Sequence, residues 1–295
     1  MLRRRPPSLS RATAAARRLS TATAVQLHHK LYPGPDQPAE PPLVLLHGLF
    51  GFGSNFQSVA RKLAGGREVV LADLRNHGSS PWADDVSLVA MAEDVAALIG
   101  SLEAPEVALC GHSLGGKVAM LVALQRPELV SRLCVVDIAP VEYEMGANLR
   151  VIEALLEVPD EALASRKEAD AALAAAAPRA EALGSQFVRQ FLLQNLVPEQ
   201  RSWRLNLRAL LAGYPALRGF PAAEGATAPT LPTLFVGGKK PGAMLGAEHL
   251  EACRAFFPAA RLEMVDTGHF VHAEAPGPFV EIVDGWCRGV EDVIL

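Results

Sequence analysis

Ser113 stands in Gly111-His112-Ser113-Leu114-Gly115, directly after the apolar run EVALC and, past Gly116-Lys117, before VAMLVAL. A strand, a five-residue bend with glycine at both flanks, and a helix make the G-x-S-x-G arrangement. In it the serine takes a strained backbone conformation, and the glycines let neighbouring chain pass where a Cβ would collide. The hydroxyl is thereby raised at a helix N-terminus, whose free N–H groups favour developing negative charge. Such a serine attacks acyl carbons if a base removes its proton and amides receive the oxyanion. His47-Gly48-Leu49-Phe50-Gly51 follows an early strand, so the Leu49 amide and that of Leu114 are the expected oxyanion donors. His47 itself reads as a structural hydrogen-bonding residue.

The expected base is His269. It lies in VDTGHFVHAEAP, immediately after the last strand, at the carboxyl edge where an open α/β sheet places its ligands. His272 and His249 fall in or beside helices, where surface or capping roles are expected, and His77 falls in the turn DLRNHGSS. An orienting acid is harder to place. The strand before the histidine strand ends in LFVGGKKPGAMLGAEH, which offers no carboxylate before Glu248. The preceding strand ends in VVDIAP, which puts Asp137 on the correct rim, beside the elbow strand. Asp137 is therefore the expected acid, with Glu248 as the alternative. Phe50, Phe52, Tyr143 and Trp82 are candidates to line an apolar substrate pocket.

These residues must be positioned by alternating elements. PLVLLHG, EVVLADL, EVALCG, RLCVVDIAP, PTLFVGG and ARLEMVDTG are short, apolar and bounded by Gly or Pro, as buried strands are. Helical stretches lie between them, with start signals at Ser54 and Ser87. Continuous apolar strands alternating with helices predict a mostly parallel sheet covered on both faces. The alternation breaks over residues 140–230, which carry helical pattern and no evident strand. A structureless loop of that length is improbable, so a helical lid is expected there, with the core formed by residues 25–139 and 231–295.

Composition narrows the function. Half of the 295 residues are hydrophobic, enough for one large domain. No apolar run reaches the length of a membrane span. Residues 1–24 hold six arginines, several Ser and Thr, and no acid, which is the composition of an organelle transit peptide. Arg17-Arg18-Leu19-Ser20 resembles a matrix-protease site, and a mitochondrial address is expected, with a chloroplast one as the alternative. Beyond residue 35 the 21 Lys and Arg face 32 Asp and Glu, a net charge of −11 that argues against nucleic-acid partners. Four cysteines without ligand-like spacing read as free thiols, and neither a metal nor a cofactor is expected.

HGLFG, DLRNHGSS, GHSLGG and GHFVHAEAP, in that order, resemble the α/β-hydrolase superfamily. NHG in place of the commoner RGHG, with GHSLGGKVAM, VVDIAPVEY, FLLQNL and WRLNLRAL, resembles one branch: the α/β-hydrolase domain-containing protein 11 family, with its bacterial small-ester esterases and fungal ethanol acetyltransferases. The resemblance spans about residues 25 to 290. It implies an eight-stranded sheet with a helical cap inserted after the sixth strand, no cofactor, and a mitochondrial location in eukaryotes. The reaction expected from the residues is cleavage of carboxylic esters through Ser113, His269 and Asp137, with short to medium acyl chains because nothing in the sequence suggests an interfacial lipid-binding surface. Dehalogenases and epoxide hydrolases of this fold need a carboxylate where Ser113 stands. Some animal relatives carry an aspartate in the lid phrase, where this chain has Arg208, so the acid must come from elsewhere. The expected partner is a small ester or thioester. An acyltransferase or thioesterase on the same site is the alternative, and a non-catalytic binding protein is the rival of another class.

Overall fold

The computed structural model describes residues 24–36, 40–144, 146–223 and 225–290. The targeting segment expected over residues 1–24 therefore lies outside the described residues, Ala24 excepted. The strands are β1 (His29–Tyr32), β2 (Leu43–Leu46), β3 (Val69–Ala72), β4 (Val107–His112), β5 (Val130–Val136), β6 (Leu196–Val197), β7 (Ser202–Trp203), β8 (Thr233–Gly238) and β9 (Arg261–Val265). The helices are α1 (Gln57–Leu63), α2 (Leu88–Ser101), α3 (Leu114–Gln125), α4 (Gly146–Leu156), α5 (Arg166–Ala175), α6 (Gln186–Leu193), α7 (Leu207–Gly213), α8 (Pro215–Arg218), α9 (Leu250–Phe256), α10 (Val271–Glu274) and α11 (Pro276–Cys287). The main sheet runs β1-β3-β2-β4-β5-β8-β9, with β1 antiparallel and the rest parallel.

Successive residues of one strand serve two cores, because strand side chains alternate between faces. Val44 and Leu46 join α2, α3, α9 and the helices between β5 and β8 in one cluster; Leu43 and Leu45 join α1 and α11 in the other. All six expected strands form. The expected count of eight is corrected to seven among the described residues. Ahead of β1 the backbone N–H groups of Val25 and His28 go to the side chains of Asp94 and Ser80, at 2.7 and 2.8 Å, which removes them from any further ladder. The cap accordingly follows the fifth strand, β5, and not the sixth. It spans α4 to α8, and it also holds a two-stranded antiparallel ribbon, β6–β7, where no strand was expected. Ser87 caps α2 as expected, accepting from the Ala90 amide at 3.2 Å. Ser54 caps nothing: it lies inside a short 3-10 turn, Gly53–Phe56, ahead of α1.

The cap shares the core of the sheet and is tied to it by buried polar residues. Asn195 donates to the Phe50 carbonyl at 2.8 Å. Asn206 donates to the Asn76 side chain at 3.0 Å, and the Asn206 amide to the Asn76 carbonyl at 3.0 Å. Lys117 of α3 is buried, and its ammonium donates to the carbonyls of Arg218 and Gly219 at 2.5 and 2.9 Å, over the Tyr143 ring. Those carbonyls lie at the end of α8, where a helix leaves acceptors unpaired and a cation is favoured. Burial nevertheless pulls the Lys117 ammonium down to about 8.

DLRNHGSS, read from sequence only as a turn, is a buried polar knot. Asp73 accepts from the amides of Gly53 and Ser79 at 2.7 and 2.8 Å. Arg75 grips Asp94 of α2 with two bonds of 2.5 and 2.7 Å, a bidentate pair with both partners buried. His47 accepts from the Leu74 amide through Nε2 at 2.9 Å, so its Nδ1–H donates to the Gly48 carbonyl at 2.8 Å. His77 donates through Nδ1 to the Arg75 carbonyl at 2.9 Å. Burial lowers His47 to about 4 and His77 to about 3.

Two tests follow from this packing. Lys117→Met fills the space but leaves the α8 carbonyls unsatisfied, so urea unfolding is expected to show a loss of about 1–3 kcal/mol; a variant as stable as the parent contradicts the staple. The histidines set an acid limit. Unfolded rings protonate near 6.5 and the native ones do not until about 4 or 3, so the unfolded state binds more protons and stability falls as pH drops through 6.5. By pH 5 each ring costs about 2 kcal/mol relative to pH 7. Urea titrations at the two pH values are expected to show His77→Asn losing about 2 kcal/mol less than the parent. An equal loss in both proteins contradicts the assignment.

Candidate active site

The bend after β4 is set by contact distances. A Cβ on Gly111 would lie 2.2 Å from the Gly115 carbonyl oxygen, and one on Gly115 would lie 2.5 Å from that of His47. Only glycine lets α3 start this close beneath β4 and the end of β2. Between them Ser113 takes φ 51° and ψ −118°, a costly conformation for a residue with a side chain. Its carbonyl accepts from Gly116 and Lys117, while Leu114, the first residue of α3, presents one of the amides that the helix cannot pair internally.

The loop after β2 closes on this bend. A Cβ on Gly48 would lie 2.9 Å from His112 Nδ1 and 3.1 Å from Ser113 Cβ, so the backbone leading to Leu49 runs directly against the serine. The Gly51 amide donates to the Gly48 carbonyl at 2.9 Å, and Phe50 takes φ 64° in the resulting tight turn. Leu49 and Leu114 thus flank Ser113 from two sides.

Asp137 follows β5 at φ 50° and is fully buried. Its carboxylate accepts from the amides of Gly238, Met244 and Leu245 at 3.1, 2.8 and 3.3 Å, and from His269 Nδ1 at 2.7 Å. An ionised carboxylate only accepts, so Nδ1 of His269 carries the proton and Nε2 holds the free lone pair. The loop carrying His269 is fixed from both sides. His112 donates through Nε2 to the His269 carbonyl at 2.9 Å, and the Glu274 carboxylate accepts from the Gly268 and Phe270 amides at 2.8 and 3.3 Å. Glu248 stands elsewhere: it is exposed and faces His249 at 3.4 Å.

Ser113 and His269 line one cavity of about 160 Å³ together with Leu49, Phe50, His112 and His272. The cap contributes Asn148, Val151, Ala182, Val188, Phe191 and Leu192. Neither Phe52 nor Tyr143 lines it, which corrects the expectation for both. Phe52 is extended beyond the tight turn, and the Tyr143 hydroxyl is used between the Ala139 amide and the Met244 carbonyl, both at 2.9 Å, bracing the loop that feeds Asp137. Trp82 is 58% exposed and also lies outside the lining. His249 caps as expected, accepting from the Gly246 amide at 3.1 Å. His272 does not sit at the surface. It is buried, stacked on Phe56 at 4.2 Å and edge-on to His112 at 4.8 Å. Burial lowers His272 to about 3 and His112 well below the usual imidazole range, so both rings beside His269 stay neutral at pH 7. The cap residues of the lining and Phe270 were not foreseen; apolar side chains on cap helices carry no local signal of facing a site.

Residues 43–282 match the model of the alpha/beta hydrolase family. Among curated proteins, the chain is 40% identical over 253 residues to the sn-1-specific diacylglycerol lipase ABHD11 of Mus musculus, covering 82% of this chain and 80% of the relative. It is 32% identical to the esterase YbfF of Escherichia coli, covering 80% and 88%, and 33% identical to a probable alcohol acetyltransferase of Saccharomyces cerevisiae, covering 88% and 80%. Among solved structures, a marine microorganism esterase superposes with a TM-score of 0.78 at 30% identity, over 88% of this chain and 98% of that one. With that family match spanning the six parallel strands of the sheet and the cap, the chain belongs to the alpha/beta hydrolase family.

Proposed function

We propose that this carboxylic-ester hydrolase works through an acyl-enzyme on Ser113, with His269 as base and Asp137 as the acid that orients it. The observation that carries the reading is the 2.7 Å bond from His269 Nδ1 to Asp137, with Ser113 lining the same cavity as His269. Its relatives bear the names of a lipase, an esterase and an acetyltransferase, all of which handle acyl groups. In the first half-reaction the Ser113 oxygen attacks the ester carbonyl carbon as His269 Nε2 takes its proton. The Leu49 and Leu114 amides hold the resulting oxyanion. The tetrahedral adduct collapses, His269 returns the proton to the departing alkoxide, and the alcohol leaves. Water then repeats the sequence on the acyl-enzyme and frees the carboxylic acid. Buried Asp137 stabilises the imidazolium formed at each stage without itself taking the proton.

Cavity size supports a short to medium acyl group. An engineered cavity of about 150 Å³ in another protein holds benzene, so about 160 Å³ admits roughly six non-hydrogen atoms. The acetyltransferase name of the yeast relative keeps acyl transfer as the second reading, in which an alcohol replaces water at the acyl-enzyme. Ethyl acetate formed per acetate released, measured with p-nitrophenyl acetate and ethanol, separates the two.

Mutation of each proposed participant has a distinct outcome. Ser113→Ala is expected to abolish p-nitrophenyl acetate turnover. Asp137→Asn is expected to lower kcat by a factor on the order of 10⁴, since it leaves His269 without the partner that sets its tautomer. Glu248→Gln is expected to leave kcat within about two-fold of the parent, as exposed charges away from reacting atoms contribute little. A crippled Glu248→Gln beside a mild Asp137→Asn would move the acid to the loop after β8.

A further inference from the structure

The cavity does not end where its walls close around Ser113. Phe270, the residue after His269, lines it and packs edge-on against the His269 ring at 5.3 Å. On its other side Phe270 meets two phenylalanines of α6, Phe191 at 5.1 Å and Phe187 at 5.3 Å. These two are four residues apart, so they stand one above the other on a single helix face. Phe191 lines the cavity; Phe187 does not, and it is 50% exposed. Three rings therefore form an unbroken apolar strip from the space around Ser113 out to solvent, ending on a large hydrophobic side chain.

Among the described residues few large hydrophobic side chains are exposed, and Phe187 is one of them, on a helix whose Leu192 and Leu193 are buried. Its edge-on contact with Phe270 holds the exposed ring beside the strip.

We propose that Phe187, with Phe270 and Phe191, forms an outer subsite for the part of an acyl chain that extends beyond the cavity. This rests on the acyl-enzyme reading above. The cavity takes about the first six atoms of the acyl group. Carbons further along an octanoyl or decanoyl chain then lie over the three rings, and the first carbons never reach Phe187. Because the acyl group remains attached through both half-reactions, a strip continuous with the Ser113 cavity serves it throughout, whereas the alcohol leaves after the first. Phe187 touches neither the serine nor the base, so its effect belongs to specificity and not to bond breaking.

The test is a p-nitrophenyl ester series from acetyl to decanoyl, each below its aggregation limit, on the parent, Phe187→Ser and Phe187→Leu. For Phe187→Ser, kcat/KM on acetyl and butyryl esters is expected to stay within about 1.5-fold of the parent. On decanoyl it is expected to fall about four-fold, the effect of one methylene losing its apolar cover. Phe187→Leu is expected to recover most of that loss, because an apolar side chain of similar reach remains. A change of equal size at every chain length, or none at any length, overturns the subsite while leaving the esterase reading intact. Absence of turnover by the parent on every ester overturns both.

Discussion

The geometry of the site hangs on one buried carboxylate. Asp137 accepts four hydrogen bonds, one from the last residue of β8, two from the loop after it and one from His269. A carboxylate is tolerated in a protein interior only when its lone pairs are taken up this way. Satisfying it therefore fixes several things together: the end of β5 at a positive φ, the path of residues 238–245, and the imidazole. Tyr143 reinforces that path by bonding the Met244 carbonyl while holding the Ala139 amide. The buried carboxylate and the loop that shelters it define each other.

The same logic of close backbone approach governs the serine. Gly48, Gly111 and Gly115 are required because three chain segments cross within van der Waals contact around Ser113. The neutral rings of His112 and His272 lie beside His269 without adding charge, and of these three rings only His269 bonds a carboxylate. Cap and core meet over this point. Asn195 reaches the Phe50 carbonyl and Lys117 reaches the end of α8, so the cap that roofs the cavity is fastened to the core at separate points.

Much of this was legible in residue order, and the misses have physical causes. Parallel strands buried on both faces are continuous apolar runs, which is why all six were found. Edge strand β1, HKLY, is mostly exposed and carries no such signal, and β6 and β7 are two residues each, too short for any period. The meeting of Asp137 with His269 is legible in strand order, because a strand end beside the elbow strand is a topological position. Glu248 faces His249 and not His269. His272 was misjudged because burial of a four-residue helix is decided by what packs on it, here Phe56 and His112. Phe52 and Tyr143 lie near the site along the chain yet outside the cavity, while Val151, Phe191 and Phe270 line it from segments whose sequences look like ordinary amphipathic helix or loop.

The central claim, that Ser113 is the nucleophile that takes up the acyl group, is tested most directly by locating a covalent adduct. A fluorophosphonate reacts with a serine only where a base and oxyanion donors activate it. Treated protein, digested and sequenced by tandem mass spectrometry, is expected to carry the phosphonyl group on Ser113 alone, with one group per chain by intact mass. An adduct on any other residue, with Ser113 unmodified, would contradict the account.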